Sequence, residues 1–412
     1  MRRRAWRWHF LAALLVIPFV LWQSVTGTLY LWSEHWVDHR HGELRVVEAG
    51  GQRVPLDAQV QAARDHHAGR AVGSILLPAD PLRSTQVTFT DDRGLPLAAF
   101  IDPYRGTLLG SLEGSAWPVG WSRSMHGGWP LGDAGSWLLE IGASWTIVMV
   151  LTGLYLWWPR DGRGLRALVP RLRSGGWMFW RDLHACVAVW FSILIVLFLL
   201  TALPWTSFWG GTWLQSLQGA TGQETPRAAG FAPVMAGEGG EDIRLQGLLD
   251  QARAEGLAGD LLFLMVDGPP GSAVSVREVK PRASQERYLL MDRSGAGVVD
   301  EAGWADFPLI AKAVATGVDI HEAAFFGRVG PWINTAFALS LAWLCLTGAL
   351  SWWRRKPPSS LGVPPKAVAP WPRGLRLGAL VLSLVLPLFA LSAVALWIAE
   401  WAWAKFPRRA PA

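Results

Sequence analysis

The chain has two cysteines in 412 residues, Cys186 and Cys345, and both fall inside long apolar runs. No structural disulfide is implied, and without a Cys-x-x-Cys-His there is no covalent haem attachment. Charge is also scarce. Asp, Glu, Lys and Arg make up 17% of residues against 51% hydrophobic ones, with 27 tryptophans. A soluble protein of this length carries more charge, so the composition favours a membrane class. No phosphate loop, dinucleotide fingerprint or Ser-His-Asp arrangement is evident. The run Gly237–Gly240 lacks the strand-then-helix setting of a nucleotide site, so the chain is not expected to bind NAD(P)H itself. The net charge of +6 comes from arginines flanking apolar runs and gives no reason to expect nucleic acid.

What is present is a pattern that occurs twice: His-x5-Gly-x2-Gly-x16-Thr-Gly-x3-Trp-Trp. One copy runs through His126, Gly132, Gly135, Thr152, Gly153, Trp157 and Trp158. The other runs through His321, Gly327, Gly330, Thr347, Gly348, Trp352 and Trp353. The stretch between the second Gly and the Trp pair is apolar and long enough to cross a hydrocarbon core of about 30 Å. Five such runs are expected to span, near 9–32, 136–158, 183–205, 332–353 and 376–402. The first follows Arg2, Arg3 and Arg4 but is too long, and lacks the small-x-small site, for a cleavable leader. It reads as an anchor.

Arginines and lysines cluster at the N-terminus, in the link 159–182 and in the link 354–375, which places all three in the cytoplasm. The segments 33–135 and 206–331 then lie outside, leaving 403–412 as a short tail. Each outer segment is predicted to be a small α+β domain. The first has an Ala-rich helix after Val54-Pro55-Leu56-Asp57, a strand Gln86–Thr90, and a strand entering a turn at Phe100–Gly106. The second has a helix near Ile243–Glu255, strands near Leu262–Val266 and Ala273–Val279, and a strand and turn over Leu289–Gly295. Gly219–Glu241 reads as a loose loop.

The duplication includes the odd-numbered spans, since His9 precedes Thr26 by the same interval as His184 precedes Thr201. Helical rise puts His9 and His184 at one membrane face and His126 and His321 at the other. Metal–imidazole bonds are only ~2 Å long, so the symmetric pairings are His9 with His184 and His126 with His321. This pattern describes two haems, each between two imidazoles. Arg7, Arg181, Arg123 and Arg328 lie near these histidines and are candidates for pairing with propionates. They also read as ordinary flanking charges, and the Trp pairs as interfacial belt residues. His35, His39 and His41, with Glu34 and Asp38, form a candidate external metal site, although the ordinary reading is a solvated post-helix segment. His66 and His67 are assigned no role.

Ser124-Met125-His126 leading to Thr152-Gly153-Leu154-Tyr155-Leu156-Trp157-Trp158-Pro159-Arg160 resembles the PepSY-associated transmembrane family. Trp180-Arg181-Asp182-Leu183-His184 and Gly317-Val318-Asp319-Ile320-His321-Glu322 resemble it too. The resemblance covers about 1–357 and implies PepSY domains outside a bacterial inner membrane, b-type haem, and ferric or ferrisiderophore reductase activity. His9, His126, His184 and His321 occupy the family's histidine positions. Phe10 stands where a basic residue is common, Ala323 where the family has the Gly of His-Glu-Gly, and Ala202 where it has Gly after Thr. The fifth span is an addition to the usual four.

The expected fold is therefore a membrane α-helical bundle with a parallel internal duplication and two periplasmic PepSY-like domains. The leading functional expectation is a di-haem electron conduit from a quinol or a separate cytoplasmic reductase to an external ferric siderophore. One alternative is a non-redox PepSY module that binds or regulates a partner. Another is a siderophore or metal transporter, for which the broken helices and intramembrane charges expected near the midplane are not seen in the sequence.

Overall fold

The computed structural model describes residues 2–405 apart from 91–93, 115, 117, 129–130, 160–161, 163, 231–233, 235–243, 270, 295–296 and 366–372. The first elements are α1 (Arg2–Leu31), α2 (Ser33–Arg40), α3 (Gly42–Arg45) and α4 (Leu56–His66). Strands β1 (Val72–Leu77), β2 (Thr85–Thr90), β3 (Pro96–Ile101) and β4 (Leu108–Glu113) follow. Next come α5 (Val119–His126), α6 (Gly132–Trp157), α7 (Gly176–Ala202), α8 (Gln215–Thr221) and α9 (Leu245–Ala254). Strands β5 (Asp260–Leu264), β6 (Val274–Val279), β7 (Tyr288–Met291) and β8 (Val298–Ala302) lead to α10 (Leu309–His321). The chain closes with α11 (Gly330–Arg355), α12 (Arg373–Val385) and α13 (Pro387–Lys405). These elements form two units. One contains residues 1–27, 126–216 and 332–412, and the other contains 28–125 and 217–331.

The first unit is helical. Four helices, Arg2–Leu31, Gly132–Trp157, Gly176–Trp205 and Gly327–Arg355, are long and apolar enough to cross a membrane. α1 begins earlier than its apolar run because arginine is a good helix former and lets the helix continue into the basic flank. α7 stops at Ala202 because Pro204 follows within two residues. Close packing uses small residues. A Cβ on Gly142 would stand 2.6 Å from the Phe19 ring, so α1 and α6 meet there only because that side chain is a hydrogen. Trp8 stacks on Trp145 at 5.6 Å, and the Trp145 indole donates to Ser392 Oγ at 3.0 Å. The first Trp of each repeated pair is tied to the link that follows it. Trp157 Nε1 donates to the Ala167 carbonyl at 3.1 Å and Trp352 Nε1 to the Leu361 carbonyl at 2.8 Å.

The fifth predicted span is not one helix. The chain breaks between α12 and α13 at Leu386, because Pro387 has no N–H to continue the ladder. α13 packs its Phe389 ring 5.0 Å from Trp145.

The second unit is one antiparallel sheet of eight strands in the order β4-β3-β2-β1-β5-β6-β7-β8. The two predicted outer domains are therefore its halves, joined where β1 pairs with β5 through Ile75↔Phe263 and Leu77↔Leu261. Those four residues alternate onto one face with Val87, Phe89, Val274 and Val276, and α4 and α9 cover that face with Leu56, Val60, Leu248 and Ala252. Each fully buried Leu or Phe there stabilises the unit by roughly 1.5–3 kcal/mol.

The halves also cap each other's helices. Asp57 accepts from the backbone N–H groups of Leu245 and Gln246 at 2.8 and 2.9 Å, and Gln246 Oε1 accepts from the Leu56 N–H at 2.9 Å. Each satisfies first-turn donors that neither helix can satisfy alone. Residues 231–233 and 235–241 of the predicted loop Gly219–Glu241 lie outside the described residues. Its described part holds the end of α8 and a turn at Arg227–Ala229.

Candidate histidine site

Three of the four repeated histidines dock in the same way. The Nδ1 of His9 lies 3.1 Å from the Met149 carbonyl and 3.2 Å from Thr152 Oγ1. That of His184 lies 2.9 Å from the Leu344 carbonyl and 3.4 Å from Thr347 Oγ1. That of His126 lies 3.1 Å from Thr26 Oγ1, with a second hydrogen bond to the Gln23 carbonyl. Each time the carbonyl comes from the residue three before the threonine. Each threonine turns its own hydroxyl onto the carbonyl four residues back, at Trp22, Val148 or Trp343. The hydroxyl oxygen is thus left to accept.

The glycine after each threonine makes room for the ring. A Cβ on Gly153 or Gly348 would sit 3.2 Å from Cε1 of His9 or His184, and one on Gly27 would sit 2.9 Å from Cε1 of His126. The Thr-Gly pair is therefore a saddle for an imidazole from another element.

A carbonyl oxygen can only accept, so Nδ1 carries the proton and the lone pair of each neutral ring lies on Nε2. This is the arrangement by which protein fixes the tautomer and orientation of a metal-binding histidine. The rings of His9 and His184 lie with centres 6.4 Å apart and planes at 80°. Two metal–nitrogen bonds of ~2 Å, together with half the depth of each ring, would span roughly the same distance. The donor set and its spacing fit an iron held between two imidazoles.

His126, the last residue of α5, falls in the helical unit, and His321, the last residue of α10, in the sheet unit. The two copies share the geometry that follows each histidine. The chain reverses through a positive φ two residues later, at Gly128 (93°) and Ala323 (67°). The first motif glycine also takes a positive φ, 53° at Gly132 and 58° at Gly327. The second glycine packs against the reversal. A Cβ on Gly135 would be 1.9 Å from the Gly128 carbonyl oxygen, and one on Gly330 would be 1.8 Å from that of Ala323. A left-handed backbone therefore accounts for the first motif glycine, and close backbone approach for the second. On the turn of α1 that receives His126, Gln23 Nε2 and Ser24 Oγ are buried with no hydrogen-bond partner.

The four arginines differ in their surroundings. Arg7 donates to the Pro364 carbonyl at 2.6 Å. Arg181 pairs with Asp182 at 2.5 Å, and Asp182 also holds Arg171 at 2.6 Å. Arg123 lies 5.7 Å from the Tyr30 ring centre, and Arg328 is exposed in the turn Gly327–Val329.

The predicted metal cluster does not assemble. Among the described residues no three His, Cys, Asp or Glu side chains converge to hold a metal ion. His35 packs against Trp32 at 5.2 Å, while Glu34 and Asp38 are engaged by Arg45 and Arg83.

Glu140 carries no repeat or motif signal in the sequence. It is fully buried in α6, whose other acid, Asp133, stands in the exposed first turn, and it contradicts the expected lack of charged groups within the spans. The broken α12–α13 stretch likewise departs from the expectation of unbroken helices.

Residues 6–355 match the model of a family described as the PepSY-associated TM region. Among curated proteins none matches the chain.

Proposed function

Because the chain belongs to the PepSY-associated transmembrane family, we propose that it carries electrons across a bacterial inner membrane to an acceptor outside. The observation that carries this reading is the His9–His184 pair, 6.4 Å apart with each Nδ1 fixed on the carbonyl of another helix. Haem b, when bound, supplies reversible one-electron iron chemistry. The protein's part is to present two Nε2 lone pairs at fixed separation and to hold each ring through a Thr-Gly saddle. Beyond His9 on α1, Ala12 and Val16 pack in an apolar cluster with Trp145 of α6.

In this reading His126 and His321 serve a second haem, and the arginine-rich ends of the spans face the cytoplasm. The eight-stranded sheet unit is a pair of PepSY-like domains in the periplasm. The donor is a quinol or a separate cytoplasmic reductase. The leading acceptor is Fe(III) in a siderophore, which makes the protein a ferric reductase of iron uptake.

The test is haem content. Protein purified from haem-replete cells is expected to show a b-type reduced-minus-oxidised spectrum with two haems per chain. The reduced form should be reoxidised by a ferric siderophore. Absence of b-type haem would overturn the proposal and leave a non-redox binding module.

A further inference from the structure

Glu140 has no part in the histidine site, and its surroundings are unusual. Its Oε2 accepts from Thr206 Oγ1 at 2.9 Å and from the Trp209 N–H at 2.8 Å, while its buried Oε1 has no hydrogen-bond partner. One helical turn further along α6, the Ser144 hydroxyl is also buried and without a partner. Among the described residues no cation pairs with Glu140. The apolar cluster on this side of the helix is built from Ala143, Ile147, Ile195, Leu199, Leu203 and Phe337.

Capping the turn after α7 does not account for this arrangement. A cap needs one accepting oxygen, which glutamine would supply without an ionisable group inside a membrane helix. Nor does the shared repeat require an acid here. At the equivalent positions after His321 the second copy has Thr335 and Leu339. An unpaired carboxylate is costly in a low-dielectric interior, so a carboxyl retained there points to function.

The polar groups line up toward the start of α6. Asp133, Ser136, Glu140 and Ser144 follow at three- and four-residue steps, which places them on one helix face. Ser207 joins the first two, its Oγ donating to Asp133 at 2.9 Å and its backbone N–H to Ser136 Oγ at 2.8 Å. Asp133 is exposed, Ser136 is nearly buried, and Glu140 and Ser144 are fully buried. The file thus runs from the exposed first turn of the span into its interior. The turn Leu203–Trp209 that closes over it has no titratable side chain, so Asp133 and Glu140 are the acids of the file.

We propose that Asp133, Ser136 and Glu140 form a proton entry path into the second span, with Glu140 as the group that takes up and releases the proton. In the step, Glu140 carboxylate and a solvent proton give the neutral acid, and release is the reverse. Water between the side chains completes the path. This inference goes beyond the electron-carrier reading and stands without haem. Where that reading also holds, proton uptake offsets the charge of an electron entering the membrane interior.

Infrared difference spectroscopy of the full-length protein in lipid tests the proposal. At neutral pH we expect a carbonyl band of a protonated carboxylic acid that is lost in Glu140→Gln. The same band should shift in D2O, several-fold more slowly in Ser136→Ala. Thr206→Val keeps the carboxyl and removes one donor, so it should move the band to higher frequency and secures the assignment should Glu140→Gln not accumulate. A spectrum in which neither variant alters such a band would overturn the proposal, as would a band indifferent to D2O.

Discussion

The two copies of the helical motif share their backbone geometry and differ in polar content. Both place a histidine at the end of a helix, reverse the chain through a positive φ, and seat a glycine against the reversing carbonyl. Yet the first reverses at glycine and the second at Ala323, and only the first has an acid inside its span. What is kept twice is what orients imidazoles and lets backbones touch. What varies is free to serve one copy alone. The duplicated part therefore reads as scaffold for the histidines, and the unduplicated part is where the two halves acquire different work.

The comparison can be broken most sharply at the histidines. His184→Ala is expected to remove the haem of the His9–His184 pair, halving haem per chain in a pyridine haemochrome assay. Unchanged content would mean the pair is structural. At the glycines, Gly135→Ala and Gly330→Ala should each destabilise by about 2–3 kcal/mol, since a Cβ under 2 Å from a carbonyl oxygen forces the backbone apart. Thermal unfolding in detergent would show it, and equal losses in both copies would establish that the contact is equivalent. Thr347→Val retains the Leu344 carbonyl for His184 but loses the hydroxyl. Haem affinity should weaken by about tenfold with altered potential, read by apo-protein titration and redox potentiometry.

Ala323→Gly should restore symmetry between the copies. At a φ of 67° alanine is strained and glycine is not, so the variant is expected to be more stable by about 1 kcal/mol in the same unfolding assay. The smallest effect concerns Asp38 in the sheet unit. The hydrogen bond from Arg83, with the charge of Arg45 beside it, holds this carboxyl below the usual range. Its stabilising contribution is therefore present at neutral pH and is lost as pH falls below ~4. Asp38→Asn should cost about half a kcal/mol at pH 7, the group being largely exposed, with the difference from wild type vanishing in acid.

Much of this was legible in the sequence, for identifiable reasons. Apolar length gave the four spans, and repeat spacing brought His9 and His184 together. Alternation gave the strands near Gln86–Thr90 and Ala273–Val279. The β1–β5 seam was not legible, because pairing between strands so distant in the chain leaves no periodic signal. Nor was the role of Thr26, Thr152 and Thr347, whose hydroxyls act on histidines of other elements. Pro387 was visible, but the apolar run around it outweighed the helix break it causes. Glu140 was hidden by its own helix, where two acids barely lower an average taken over 26 residues.

The seam has a consequence for how the molecule is made. β1 leaves the ribosome long before β5, and α6 and α7 must both enter the bilayer in between. Through that interval the half-sheet has its inner edge open, with backbone donors and acceptors at Ser74 to Leu77 waiting for a strand not yet translated. Assembly of the sheet is thus timed by insertion of the helices.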